Sequence, residues 1–261
     1  MRNLVLILTM AQFVGVVVAQ NKDTYSDVSK TLDGMNARTW VLRERAFRTM
    51  PDLAEVSKKN ADEADRLKLA LIGLLSTENV AEQEFIVKGT TFATEEHSEY
   101  YASLVARVAN LNDERAIPAL VGAITTGGMA TRGLARFGDK AIDPVLNLLQ
   151  APANPHSRVR SSAVFTIRDL LMLHIPITLT SHTRIKQALE SALNDPEFGV
   201  RYSAICAIEY LEDREDLLPA LKDMAEHDHG ENPGTPYEHT LRPTAEQLVQ
   251  KIANHQKPSA R

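Results

Sequence analysis

Apolar residues recur along this chain at offsets of three and four, and they do so in matched blocks. From Asp113, the stretch DERAIPALVGAI places Ile117, Leu120, Val121 and Ile124 on one stripe of a 3.6-residue helix. DKAIDPVLNLL from Asp139 restates the block with Ile142, Val145, Leu146 and Leu149, and DREDLLPALKDM from Asp213 restates it again. Each begins with an Asp suited to accept from the free amides of a first helical turn. Each also carries a proline five or six residues on: Pro118, Pro144 and Pro219. So near a helix start a proline forfeits at most about one ladder bond.

A second kind of block alternates with the first. VRSSAVFTIRDLL begins at Val159, VRYSAICAIEYLE at Val200 and a looser LRPTAEQLVQKI at Leu241, a spacing of 41 residues each time. Val159, Ala163, Ile167 and Leu170 share a helical face, as do Val200, Ala204, Ala207, Ile208 and Leu211. The template also fits MATRGLARFGD through Ala130, Gly133, Leu134 and Phe137, and YYASLVARVANLND through Leu104, Val108 and Leu111. Strand patterns are scarce. HIPITLTS at 174–181 is short and holds Pro176, so it is expected to be a connection.

Toward the N-terminus, Trp40–Met50 and Ala61–Leu75 predict a further helical pair, with Trp40 and Phe47 at core spacing. The expected organisation is a leader at 1–19, a polar, weakly ordered lead-in at 20–35 and divergent helical pairs at 36–97. Repeats at 98–254 and a frayed tail at 255–261 complete it. Loops are expected at 86–97 and at 227–236, HDHGENPGTP. The fold class predicted is all-α, a solenoid of stacked antiparallel helix pairs restated every 26–41 residues. One pair cannot bury its own apolar faces; stacking gains about 1.5–3 kcal/mol per large buried aliphatic side chain.

LNDERAIPAL, FGDKAIDPVLNLL and NDPEFGVRYSAICAIEYLEDREDLLPAL resemble HEAT-type repeats. The likeness runs from about Tyr100 to Ile252 and, with the leader, is to exported bacterial proteins of this repeat class. It implies an α-solenoid, and a ladder in which turn aspartates meet second-helix arginines of neighbouring repeats. The acids expected are Asp113, Asp139, Asp195 and Asp213, and the bases Arg160, Arg201 and Arg242. The competing reading of these arginines is solvated helix-end charge, worth about 0–1 kcal/mol each. The resemblance implies binding roles of many kinds and no particular reaction.

The first nineteen residues hold one charge, Arg2, followed by the apolar run from Leu4 to Ala19. This is the build of a secretory signal, with Val17 and Ala19 suiting a cut after Ala19. The competing reading is an uncleaved anchor, but the run is short of the about 20 residues a span needs. Export to the periplasm or the exterior is therefore expected, with no later membrane span. The whole chain is 44% hydrophobic and 24% charged with net charge -5, which sets it apart from duplex nucleic-acid binders, whose surfaces are basic. The single cysteine, Cys206, cannot form an internal disulfide and is read as a small helix residue rather than an intermolecular bridge.

Candidate chemistry is sparse. Glu226, His227, Asp228 and His229 lie in a row, with His239 beyond, and are the metal-ligand candidates. Consecutive residues rarely converge on one ion and no H-E-x-x-H spacing exists, so a polar loop is preferred. GGMATRG lacks the Lys-Ser/Thr of a phosphate loop, and no G-x-S-x-G occurs. No catalytic residue, cofactor site or cofactor is assigned. The reading is an exported scaffold that binds a protein partner through one face, the inner surface made by the second helices. The alternative is an envelope enzyme or a small-ligand or metal-binding protein with its site near 227–239, since HEAT-like repeats also occur in lyase-type proteins that handle bilins.

Overall fold

The computed structural model describes residues 28–88, 95–150, 156–228, 230 and 240–255, the side chains of 81–88 and 255 excepted. Among these residues there are thirteen α-helices and no strand. Ten helices stack as five antiparallel pairs. They are α4 (Ala61–Lys88) with α5 (Glu95–Ala109), α6 (Ile117–Gly122) with α7 (Gly128–Ala135), and α8 (Asp139–Asn147) with α9 (Ser157–Met172). α10 (Leu179–Leu193) with α11 (Phe198–Ile208) and α12 (Leu218–His227) with α13 (Arg242–His255) follow. First helices contact first helices down the stack, α4 to α6 to α8 to α10 to α12, and second helices do the same from α5 to α13. The protein is an all-α solenoid.

The repeated stripes account for the stacking. Ala163, Ile167, Leu170, Val200, Ala204, Ala207, Ile208, Leu211, Leu241, Ala245, Leu248 and Ile252 are all buried in one continuous core. Small residues set the spacing between second helices: a Cβ on Gly133 of α7 would stand 2.7 Å from the Ala109 Cβ of α5. Gly138, at φ 54, turns the chain into α8 in a backbone region that side chains disfavour.

The prolines shape the first helices. Asp113 accepts from the Arg115 amide at the start of a 3-10 turn, Glu114–Ala116, and α6 begins only at Ile117, with Pro118 in its first turn. The same order recurs at Arg214–Leu217 before α12 and Pro219. Pro144 lies inside α8. A missing N–H breaks the four-residue ladder, and the tighter turn takes up the free carbonyls.

Three expectations need correcting at the N-terminal end. Val28–Met35, part of the expected lead-in, is a helix, α1, because Met35 and Thr31 bury against the stack; 20–27 lie outside the described residues. α2 (Trp40–Arg48) and α3 (Leu53–Lys59) then pack on α4, and Val56, Ala64 and Leu67 form a small second core with Val28, Leu32 and Leu53. The expected loop at 86–97 is helical through Lys88 and again from Glu95. α4 therefore pairs with α5 and opens the solenoid rather than pairing with α2. Residues 174–178 are a connection, and α10 begins at Leu179. Among the described residues no helix is long and apolar enough to cross a membrane; the leader lies outside them.

Candidate binding surface and the buried polar contacts

The second-helix arginines sit one residue past the helix-entry valine or leucine, at the N-terminal ends of α9, α11 and α13. The turn inside each helix pair lies at that end. Arg160 accordingly grips Asp195, in the α10–α11 turn of the next repeat, through Nε to Oδ2 at 2.7 Å and an NH2 nitrogen to Oδ1 at 2.9 Å. That bidentate contact raises the Arg160 guanidinium pKa above its ordinary value. Arg201 donates from Nε to Asp228 Oδ1 at 2.9 Å and also to the carbonyls of Asp195, Pro196 and Gly230. Arg242 donates from Nε to the Asp228 carbonyl at 3.0 Å.

Asp113, Asp139 and Asp213 meet none of these arginines, which corrects the expected ladder. They lie in the turns between pairs, at the far ends of the second helices; eleven residues of α11 alone separate the two ends by about 16 Å. They bridge first helices instead. Asp113 shares Arg115 with Asp65 of α4. Asp139 accepts from the Thr178 amide and hydroxyl ahead of α10, and this with a Ser181 hydroxyl contact holds its pKa below the usual carboxylate range. Asp213 takes Lys186 and His182 of α10.

Asp228 has a structural task that its sequence neighbours concealed. Its side chain is 1% exposed. Besides Arg201 it accepts from the Gly230 and Leu241 amides and the Thr240 hydroxyl. Burial works against its charge, but the Leu241 amide and Arg201 outweigh it, so its pKa falls below the ordinary value. A carboxylate so committed has no oxygen to offer a metal. His227 is exposed and pairs with Asp223 at 2.9 Å; His229 and His239 lie outside the described residues. Among the described residues no three His, Cys, Asp or Glu side chains group to hold a metal ion.

A shallow cleft of about 240 Å³ does border this loop, lined by Asp195, Arg201, Asp223, Met224, His227 and Asp228. A larger one, about 640 Å³, lies between α8 and α10 and is lined by Leu146, Leu149, Arg184, Ala188, Asn194 and Val200. Both share Asn194, Asp195 and Pro196. Their charged walls are already engaged: Asp195 with Arg160, Asp228 with Arg201, and Arg184 with Asp143.

The sequence reading missed one cluster altogether. Glu78 of α4 is fully buried, 0% exposed, and accepts from Arg43 Nε at 2.6 Å and the Tyr100 hydroxyl at 3.2 Å. His97 Nε2 stands 3.4 Å from its other oxygen. Trp40 stacks over Tyr100 and lies edge-on to His97. Burial raises the Glu78 pKa, and His97 and Arg43 more than reverse that, leaving it below the ordinary value. Beside it Asn79 donates to the Ala119 carbonyl and accepts from Tyr101. These contacts tie α2, α4 and α5 together. A polar residue on an otherwise apolar helical stripe, as at Glu78 and Asn79 after Leu74 and Leu75, was the available signal.

The outer stripe of the second helices is different in kind. Arg132 of α7 and Arg136 just after it, Arg158, Phe165 and Arg168 of α9, and Tyr202 and Cys206 of α11 with Tyr210 just after it form the part left facing outward. Arg168 lies 4.5 Å over the Phe165 ring. Cys206 raises the Tyr202 pKa above its ordinary value, and the charge of Arg168 acts in the opposite sense. Cys206 is partly exposed on this stripe.

No protein-family model matches the chain, and no curated protein matches it. Among the solved structures that align with it are two designed repeat proteins. One is the designed armadillo repeat protein YIII(Dq.V1)4CPAF in complex with peptide (KR)4, at TM-score 0.41 and 16% identity, covering 89% of this chain and 100% of that one. The other is the designed armadillo repeat protein YIII(Dq)4CqI, at TM-score 0.39 and 16% identity, covering 87% of this chain and 100% of that one.

Proposed function

We propose that the chain is an exported scaffold that binds a protein partner through the outer stripe of its second helices and carries out no reaction of its own. The observation that supports this is the apolar and aromatic surface on that stripe. Met129, Tyr202 and Tyr210 are each more than 40% exposed there, with Phe165 half-buried between them on successive helices. Aromatic side chains offer large contact area at small entropic cost, which is why they concentrate in interfaces. A solenoid presents such side chains at a regular interval, which suits an extended segment of a partner.

A photo-crosslinking residue at Tyr202 tests the reading. It is expected to trap one discrete protein species in the cell envelope, while the same residue at Asp143, on the first-helix surface, traps none. Equal trapping at both positions, or none at Tyr202, counts against it.

Export belongs to the same proposal and rests on the leader of Arg2 and the run from Leu4 to Ala19. The mature chain is expected to begin at Gln20. Intact mass and N-terminal sequencing of the envelope form check this; a chain that retains Met1 there refutes cleavage.

A further inference from the structure

Cations on the two faces of the solenoid are treated in opposite ways. On the first-helix face several of them pair with carboxylates of adjoining elements. Arg115 holds Asp65 and Asp113, Lys140 holds Glu114, Arg184 holds Asp143, and Lys186 holds Asp213 and Asp216. On α7 and α9, Arg160 and Arg168 have carboxylate partners, but the other arginines there have none among the described residues. Among the described residues Arg136 meets the Asn110 side-chain oxygen, at 3.2 Å, and Arg158 the Thr125 carbonyl, at 3.3 Å, and neither meets a carboxylate. Arg132 is exposed and has no carboxylate partner among the described residues. The one carboxylate on either helix, Asp169, is buried and already shared by Arg168 and Thr131. Glu209, on neighbouring α11, is taken by Lys251.

These arginines stand out because the chain as a whole is acidic, at -5. Phe165 on α9 and the exposed Tyr202 on α11 lie on second helices of the same stack. Their stripe is continuous: Ala109 touches the Gly133 position, Thr131 bonds Asp169, and Ser161 lies 2.7 Å from Ser203, which fixes α5, α7, α9 and α11 side by side.

We infer that this stripe receives an acidic, extended segment of the partner protein, whose Glu or Asp side chains meet Arg132, Arg136 and Arg158 and whose aromatic or apolar residue seats beside Phe165 and Tyr202. The inference rests on the second-helix face being the binding face. The chemistry that selects the ligand is the guanidinium fork, which matches a carboxylate with two parallel hydrogen bonds. Three stacked helices at roughly 10 Å intervals span about 20 Å, the reach of about six extended residues. A duplex or a membrane surface would need a broader basic field than three arginines that meet no carboxylate among the described residues of an acidic protein.

The test is a titration of the chain with a labelled Glu-rich peptide of about eight residues containing one Phe, its Gln-for-Glu counterpart, an oligonucleotide and phosphatidylglycerol vesicles. The Glu peptide is expected to bind, to weaken with salt, and to shift the Nε–H resonances of Arg132, Arg136 and Arg158 while leaving those of Arg115 and Arg184 in place. R132E/R136E should weaken it by roughly tenfold, as expected for two reversed surface contacts. R132Q/R136Q should fall between, and melting curves confirm that both variants fold. Equal binding of the Glu and Gln peptides, insensitivity to R132E/R136E, or tighter binding of the oligonucleotide or vesicles overturns the inference. If Tyr202 still traps a partner in cells under those outcomes, the binding face stands and only the acidic ligand is wrong. If Tyr202 traps nothing, the binding face itself falls.

Discussion

Arg201→Ala is expected to destabilise the fold by about 3–5 kcal/mol, the range for removing one partner of a buried ion pair. The side chain closes the last two repeats. It satisfies the Asp228 carboxylate, 1% exposed, and three carbonyls in the α10–α11 and α12–α13 turns. Without it, Asp228 keeps only amide and hydroxyl donors from Gly230, Thr240 and Leu241, and the carbonyls of Asp195 and Pro196 lose their donor. Arg168→Ala is expected to cost distinctly less, about 1–2 kcal/mol, in the range of one charged hydrogen bond. Arg168 is 28% exposed and Thr131 keeps hold of the other Asp169 oxygen. Urea midpoints of the two variants decide the matter, and equal midpoints refute it.

Glu78→Ala is expected to be as damaging, about 3–5 kcal/mol, since the Arg43 guanidinium would lose its counter-charge in a largely buried site. Tyr100 and His97 would lose their shared acceptor as well. The first effect should be release of α2 from α4 and α5, seen as protease cleavage near residues 49–52 before global unfolding. The pH dependence carries a sign. The folded Glu78 pKa is depressed, so the unfolded chain binds the proton more readily. Its contribution is complete above the unfolded value of about 4.3 and is lost as pH falls through the lower folded value. Glu78→Gln should therefore flatten the loss of stability between about pH 5 and pH 3. A variant whose acid profile parallels the wild type, or a Glu78→Ala penalty below about 1 kcal/mol, removes the cluster from this role.

The second-helix stripes were legible because helical period and burial are local consequences of spacing. Val159, Ala163 and Ile167 must share a face, and an alternating polar face leaves only one side to bury. The ladder was legible in part. Arg160 and Asp195 are oppositely charged residues at corresponding ends of stacked helices, and they do meet. Asp113, Asp139 and Asp213 carry the same signature in sequence yet lie at the opposite ends of those helices, where arginine at the N-terminal end cannot reach. Asp228 looked like loop chemistry because two histidines flank it; its burial follows from the return of Leu241 across the turn, a contact thirteen residues distant.

The sequence by itself determined the recurring helical stripes from about Tyr100 onward, the all-α solenoid and the small residues that let second helices approach. These follow from periodicity, from proline's missing N–H and from side-chain volume, all properties of neighbouring residues. Only the tertiary structure decided which charges are spent. Glu78, Asp228 and Asp65 are consumed by arginines 27 to 50 residues away, and Arg132, Arg136 and Arg158 meet no carboxylate among the described residues. Ion pairing depends on distances of a few ångströms across elements far apart in the chain, and formal charge along a sequence contains no such distances.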